Sequence, residues 1–345
     1  MIPRIHQAEL EESIAKSKLA VYVRTFGCQQ NEADSERLLG IALSMGYTET
    51  DDPEKADLIL VNTCAIREQA EKKALSIVGQ YKHIKEKNPR LVIGVCGCMP
   101  AQPHRAEEIK HHLPYVSFTL APGKPEALRP LILSALAGQK RQFVFDEEAP
   151  SICEGLPVER REKHRAWVSV MYGCNNFCSY CIVPYVRGRE RSRASEAVIA
   201  EVKALIADGV KEITLLGQNV NSYKSDIDFA ALLEKLACLD GDFLLRFMTS
   251  HPKDVPDSLI EVMAKYPEKI APHFHLPLQS GSDVILKEMN RHYDKEKYLQ
   301  TVKKLREAMP HIALSTDIIV GFPGETEEDF LETMSVLESV RYDLV

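Results

Sequence analysis

Three cysteines crowd one short stretch, Gly173-Cys174-Asn-Asn-Phe-Cys178-Ser-Tyr-Cys181, with three and then two residues between them. Thiolates at that spacing on a tight loop can grip three corners of an iron–sulfur cube. No cysteine or histidine follows closely to take the fourth corner, so one iron would stay open to a small molecule. An open iron points to catalysis rather than electron storage. A zinc knuckle is the competing reading, but zinc sites pair two Cys-x-x-Cys hooks, or a hook with a histidine pair. Here Ile182-Val183-Pro184 follows instead. A disulfide fits less well, because a loop this short cannot settle three thiols.

A second set of thiols is spread along the first third of the chain. Ala20–Phe26, Asp57–Thr63 and Leu91–Val95 are short, β-branched or aromatic runs of the kind that form buried parallel strands. Helical patterns separate them, one from near Asn31 with Glu32, Asp34 and Glu36 in its first turns, another over about 68–87. The alternation predicts an α/β fold with an open parallel sheet and helices on its faces. Cys28, Cys64 and Cys98 each lie just past one of these strands, on the edge where open parallel sheets gather ligands. A shared metal site is therefore expected, against the alternative of three unrelated core cysteines. Cys96 competes with Cys98 in the Cys-x-Cys pair, and Cys98 is preferred because Gly97 lets the backbone turn toward the edge. Cys153 and Cys238 look incidental.

The remaining organisation frames these sites. The domains expected are 18–137, a charged linker over 138–165 that includes Pro150 and Pro157, and 166–345. In the last, candidate strands at 166–171, 212–216, 243–247, 273–276 and 313–320 alternate with helices near 195–208 and 227–238. Five βα units imply a partial barrel, with Arg341–Val345 as the start of a sixth strand. At 345 residues there is room for two cores, and the composition is that of an ordinary globular protein. No apolar run is long enough to span a membrane, and the polar start is not a signal peptide. Nine cysteines without such a signal suggest a reducing, cytoplasmic setting. The net charge of −7 argues against a generic nucleic-acid coat.

Taken together, Thr25-Phe-Gly-Cys-Gln-Gln-Asn31, Asn62-Thr-Cys64, Gly97-Cys-Met99, the 173–181 loop and Pro277-Leu-Gln-Ser-Gly-Ser282 resemble the methylthiotransferases, which are radical S-adenosylmethionine (SAM) enzymes. Gln30 departs from the Met expected there. The resemblance implies two [4Fe–4S] clusters: a SAM cluster on Cys174, Cys178 and Cys181, and an auxiliary, sulfur-delivering cluster on Cys28, Cys64 and Cys98. It implies SAM as methyl donor and as source of a 5′-deoxyadenosyl radical, with an electron donor such as flavodoxin or ferredoxin. Asn62–Arg67, Leu216–Tyr223 and Arg187–Arg193 look most like the MiaB-type tRNA branch, which methylthiolates C2 of isopentenyl-adenosine beside the anticodon. That chemistry needs a radical, because C2 carries a hydrogen no side-chain base removes at neutral pH. Relatives acting on threonylcarbamoyl-adenosine or on a ribosomal-protein aspartate are the sibling alternative, and a two-cluster electron carrier the non-enzymatic one. The RNA-binding TRAM domain usual in the family does not follow the barrel, so weak tRNA affinity is expected.

Other loops carry softer expectations. Tyr180, Gly217, Gln218 and Ser250 are candidates to touch SAM, with ordinary polar turns as the alternative. Arg187, Arg189, Arg191 and Arg193 suit phosphate contact with RNA, or form a solvated charge run. His273 and His275 are expected in core packing, Asp317 as a buried anchor, and Gly321–Gly324 as a turn before a capped helix.

Overall fold

The computed structural model describes residues 4–66, 68–144, 152 and 154–345; Arg67, Pro150 and Cys153 lie outside them. The chain divides into two compact units, residues 1–161 with 185–188, and residues 162–184 with 189–345.

The first unit opens with helix α1 (Arg4–Ser17) and is built on six parallel strands. They are β1 (Ala20–Thr25), β2 (Thr48–Glu49), β3 (Leu58–Thr63), β4 (Val92–Gly97), β5 (Phe118–Leu120) and β6 (Gln142–Val144), in the order β2-β1-β3-β4-β5-β6. Every residue of β3 and β4 is buried, which marks them as central strands covered on both faces. Alternate residues of β3 feed opposite cores. Leu58 and Leu60 pack with Val23, Leu39 and Leu131, while Ile59 and Val61 pack with Val78 and Ile93. Each such aliphatic side chain contributes about 1.5–3 kcal/mol relative to exposure. The covering helices include α2 (Gln29–Ser44), α3 (Glu68–Gln80), α4 (Lys82–Lys87), α5 (Pro103–His112) and α6 (Leu128–Leu136).

Two expectations change here. The single helix over 68–87 is broken at Tyr81, whose ring sits in the core with its edge toward Tyr22 at 6.5 Å. The stretch expected as a bare linker belongs largely to the first unit. Its Gln142–Val144 forms the edge strand β6, Glu159 N donates to Glu36 O at 3.0 Å, and Arg161 reaches Val23 O at 3.1 Å. A three-residue edge strand with no buried residue leaves no periodic signal in a sequence.

The second unit carries β7 (Arg165–Ser169), β8 (Met171–Tyr172), α7 (Val183–Val186, shared with the first unit by the division above), β9 (Arg191–Ser192), α8 (Ser195–Ala207), β10 (Glu212–Leu216), α9 (Phe229–Ala237) and β11 (Leu244–Phe247). Then come α10 (Asp257–Lys265), β12 (His273–His275), α11 (Asp283–Glu288), α12 (Lys295–Ala308), β13 (Ala313–Ser315) and α13 (Glu327–Val340). Strands β7, β10 and β11 form one parallel sheet, and β12 and β13 another. Parallel bridges Leu245↔Ile270, Gln279↔Ile318 and Ser315↔Leu344 continue the series, giving a partial barrel in which Leu344 starts the sixth position. The outer face is apolar: Phe274 meets Phe247, which meets Phe229 of α9, each edge-on at 5.3–5.4 Å. Strand β13 stops at Ser315, short of the expected 320, because the Thr316 hydroxyl accepts from Leu278 N at 2.9 Å in place of a ladder partner. Helix α13 begins as expected, with a Thr326/Asp329 capping box after the glycine turn.

Candidate functional site

In the first unit, the carboxyl ends of β1, β3 and β4 are tied by a buried polar network. Asn31 Nδ2 donates to Asn62 Oδ1 and Thr63 O at 3.4 and 3.2 Å, and Asn62 Nδ2 donates to Asn31 O and Ser35 Oγ at 2.8 and 2.9 Å. Thr63 Oγ1 donates to Cys96 O at 2.6 Å, and Cys98 N to Thr63 O at 2.8 Å. Cys28 is the N-cap of α2, and Asn31 Oδ1 accepts from its backbone N–H and thiol at 3.4 and 3.5 Å. Two glycines let the strands end this closely. At Gly27, φ is +135°, and a Cβ would lie 2.4 Å from Asn31 Oδ1 and 2.8 Å from Cys64 Cβ. At Gly97, φ is +95°, and a Cβ would lie 2.3 Å from Thr63 O. Cys28, Cys64 and Cys98 are thereby brought to one edge.

Burial pushes the Cys98 thiol up to about 11, while Arg187 pulls against it and Cys64 adds to it. Burial also raises Cys64, with Cys28 adding to the effect. Cys96 points away into the apolar core, where burial alone raises it to about 12.

In the second unit, the 173–181 loop follows β8 and is anchored from two sides. Gln218 accepts from Gly173 N, and Asn175 and Glu190 exchange bonds at 3.0 and 3.3 Å. Past α11, Met289 O accepts from Ser179 N at 3.1 Å, and Asn290 Nδ2 donates to Asn176 O and Phe177 O at 3.2 and 3.0 Å. These bonds hold Phe177 in the left-handed region at φ +48°, a strained conformation that a bulky residue keeps only when its surroundings impose it. Cys174, Cys178 and Cys181 act on one another electrostatically, and burial raises Cys174 to about 11.

The barrel loops beside them present polar atoms with no partner among the described residues: Ser250 Oγ, His251 Nε2 and Asn219 Oδ1. His251 Nδ1 accepts from Lys253 N at 3.3 Å, so its proton sits on Nε2. Burial, helped by Arg291 and Lys253, depresses His251 to about 2, and it stays neutral.

Comparison with known proteins decides the family. The chain is 49% identical over 351 residues to a tRNA-2-methylthio-N(6)-dimethylallyladenosine synthase of Caldicellulosiruptor saccharolyticus, covering 98% of this chain and 74% of that protein. Synthases of the same name from Clostridium perfringens and Thermoanaerobacter sp. are 51% and 50% identical over 93% and 97% of this chain, and 72% of each of theirs. The chain belongs to this synthase family. Its residues 168–337 match the Radical SAM superfamily, and residues 20–121 match Uncharacterized protein family UPF0004. Solved structures support the fold alone. The radical SAM methyltransferase TsrM from Kitasatospora setae aligns with a TM-score of 0.68 at 14% identity, over 94% of this chain and 72% of that one. The cobalamin-dependent SAM radical enzyme OxsB aligns at 0.64 and 12% identity, over 96% and 53%.

The donor chemistry of both triplets in this synthase-family chain fits the clusters such enzymes use. Each offers three thiols, buried or half-buried except for the exposed Cys28. Among the described residues no three His, Cys, Asp or Glu side chains close on a single ion; the corners of a cube stand farther apart than the ligands of one metal. The orphaned atoms of Asn219, Ser250 and His251 suit a polar ligand such as SAM.

Other candidates fare differently. Gly217 is packed against Met171, where a Cβ would lie 2.5 Å from Met171 Cγ, and Gln218 is spent on the cysteine loop. Tyr180 is partly exposed, its hydroxyl accepting from Arg291. Two of the four arginines expected either at RNA phosphates or in a solvated charge run are internal. Arg187 pairs with Asp34 at 2.8 Å and faces Cys98 and Cys28, and Arg193 pairs with Glu201 at 2.7 Å. Arg189 is exposed and stacks on Phe177 at 4.2 Å, and Arg191 is half-buried. His273 and His275 share a polar face, both meeting Ser315 Oγ, and Asp317 is exposed beside His275 rather than buried. Asn31, Asn62, Asn290 and Arg291 went unassigned in the sequence, since each works through partners far along the chain.

Proposed function

We propose that this protein is a tRNA methylthiotransferase that places a methylthio group on C2 of N6-isopentenyl-adenosine. Half of its residues are identical to synthases of that name over nearly the whole chain, and that observation carries the reading. Two [4Fe–4S] clusters and SAM, when bound, supply a radical able to take an unactivated hydrogen and a sulfur held ready for transfer.

The protein's own groups do the positioning. Cys174, Cys178 and Cys181 are assigned to one cluster, and Cys28, Cys64 and Cys98 to the other. Burial raises the thiols that the ligation must deprotonate, so loading of both sites releases protons and is favoured at higher pH. The Asn31–Asn62–Thr63 network fixes the sheet edge, and Asn290 fixes the cysteine loop. Ser250 Oγ, Asn219 Oδ1 and His251 Nε2 offer donors and acceptors to SAM, with His251 neutral so that it does not repel the sulfonium. A low-potential carrier such as flavodoxin or ferredoxin would supply the electron. Among the described residues no helix is long and apolar enough to cross a membrane, which leaves a cytoplasmic encounter with tRNA open. Nucleoside mass spectrometry tests the reading: the reconstituted enzyme should convert isopentenyl-adenosine in tRNA to its 2-methylthio form. SAM cleavage with an unmodified nucleoside would refute it.

A further inference from the structure

Among the described residues three arginines are deeply buried, and two of them have a carboxylate: Arg187 has Asp34 and Arg193 has Glu201. Arg291 has none. It is 5% exposed, yet among the described residues its partners are neutral oxygens and one sulfur. Nε donates to Tyr293 Oη at 3.1 Å and Nη2 to Pro277 O at 3.0 Å. Nη1 donates to Tyr180 Oη at 3.4 Å and to Cys178 Sγ at 3.5 Å. A guanidinium keeps its charge in proteins, and burying that charge without a counter-charge is strongly unfavourable. The neighbour that cluster ligation would make anionic is Cys178, whose Sγ lies 3.5 Å from Nη1. The Tyr293 ring lies 5.2 Å below the guanidinium, and the bonds to Pro277 and Tyr293 fix the planar fork against the loop.

We propose that Arg291 is a positioning residue for the Cys174/Cys178/Cys181 site, compensating the negative charge of its cluster and donating an N–H···S hydrogen bond to Cys178. The inference rests on the assignment of a cluster to those cysteines. Positive charge and hydrogen bonds at ligand sulfurs favour the reduced, more negative state, so they raise the reduction potential. Arg291 therefore keeps the cluster within reach of its electron donor. A residue that merely anchored the loop would leave the potential where it is.

The test is a redox titration of the full, anaerobically reconstituted protein, following the EPR signal that added SAM perturbs. Arg291→Lys keeps the charge without the fork, while Arg291→Gln keeps amide donors without the charge. Tyr293→Phe removes the phenol that braces the guanidinium but leaves both. The expected midpoints fall in the order unaltered protein, Lys, Gln, with Tyr293→Phe close to the unaltered value. If the Gln chain loses the SAM-responsive cluster while the Lys chain retains it at a lowered midpoint, charge compensation is supported as well. Midpoints for Lys and Gln that match each other or the unaltered protein would overturn the inference, as would an equal fall in Tyr293→Phe. If the unaltered protein shows no SAM-responsive signal although it holds iron, the cluster assignment fails first and the inference with it.

Discussion

Single residues decide which thiols reach the sheet edge. Cys96 and Cys98 are two positions apart, and in a strand that spacing would put them on the same face. The left-handed Gly97 breaks the alternation, sending Cys98 toward Cys64 and Arg187 while Cys96 stays in the core. Cys98→Ala should therefore empty the first-unit site of iron without unfolding the protein. Cys96→Ala should keep the iron and lower stability by about 1 kcal/mol through the small cavity it leaves, as read from iron content and a denaturant midpoint. The turn residue made this distinction legible in the sequence. The arginines were not legible in that way: Arg187 and Arg189 differ by two positions, but Asp34, which draws Arg187 inside, is 153 residues away.

His251 carries a consequence for acid stability. Its ordinary value is 6.5, and in the fold burial lowers it to about 2, with Arg291, Lys253, His292 and Lys297 all opposing its protonation. The unfolded chain thus binds a proton that the folded chain refuses between those two values. Stability from this group is intact above pH 6.5 and falls progressively as the pH drops toward 2. His273, also depressed by burial, adds a loss of the same sign. His251→Asn should flatten the decline in unfolding free energy between about pH 6.5 and 4.5. A decline as steep as that of the unaltered protein would show that other groups govern it.

At the level of elements, the strands that position ligands are the most strongly patterned. Strands β1, β3 and β4 lie within two residues of their expected limits: β3 and β4 are buried on both faces and read as continuous apolar runs, while β1 buries Val21 and Val23 in a β-branched and aromatic run. Strands β2, β6 and β9 escape notice because two or three exposed or half-buried residues carry no period. What lies between a strand end and its cysteine is tightly fitted. Gly27→Ala would force a Cβ to within 2.4 Å of the Asn31 side chain in a strained backbone, and Gly97→Ala would press on Thr63 O at 2.3 Å. Either change should cost several-fold in iron bound by the Cys28/Cys64/Cys98 site and leave the SAM-responsive EPR signal of the second unit intact. Loss of both signals together would mean that the damage is not confined to this sheet edge.

At the scale of the whole molecule, each unit has its own core. Val198, Ile213, Leu245, Phe274 and Leu314 anchor the second, while the two faces of the first-unit sheet are packed independently. Separate cores imply that each cysteine triplet can be removed without unfolding the other unit. Replacing Cys28, Cys64 and Cys98 by Ala should leave a folded protein with about half of the roughly eight irons expected for two cubes. SAM should still be cleaved to 5′-deoxyadenosine, and methylthio transfer should vanish, since no sulfur is held ready. Replacing Cys174, Cys178 and Cys181 by Ala should also halve the iron but abolish both reactions, because no radical can start. Paired anaerobic assays of SAM cleavage and of the product nucleoside separate the two variants. Methylthio product from the first variant would mean that the sulfur does not pass through the Cys28/Cys64/Cys98 site.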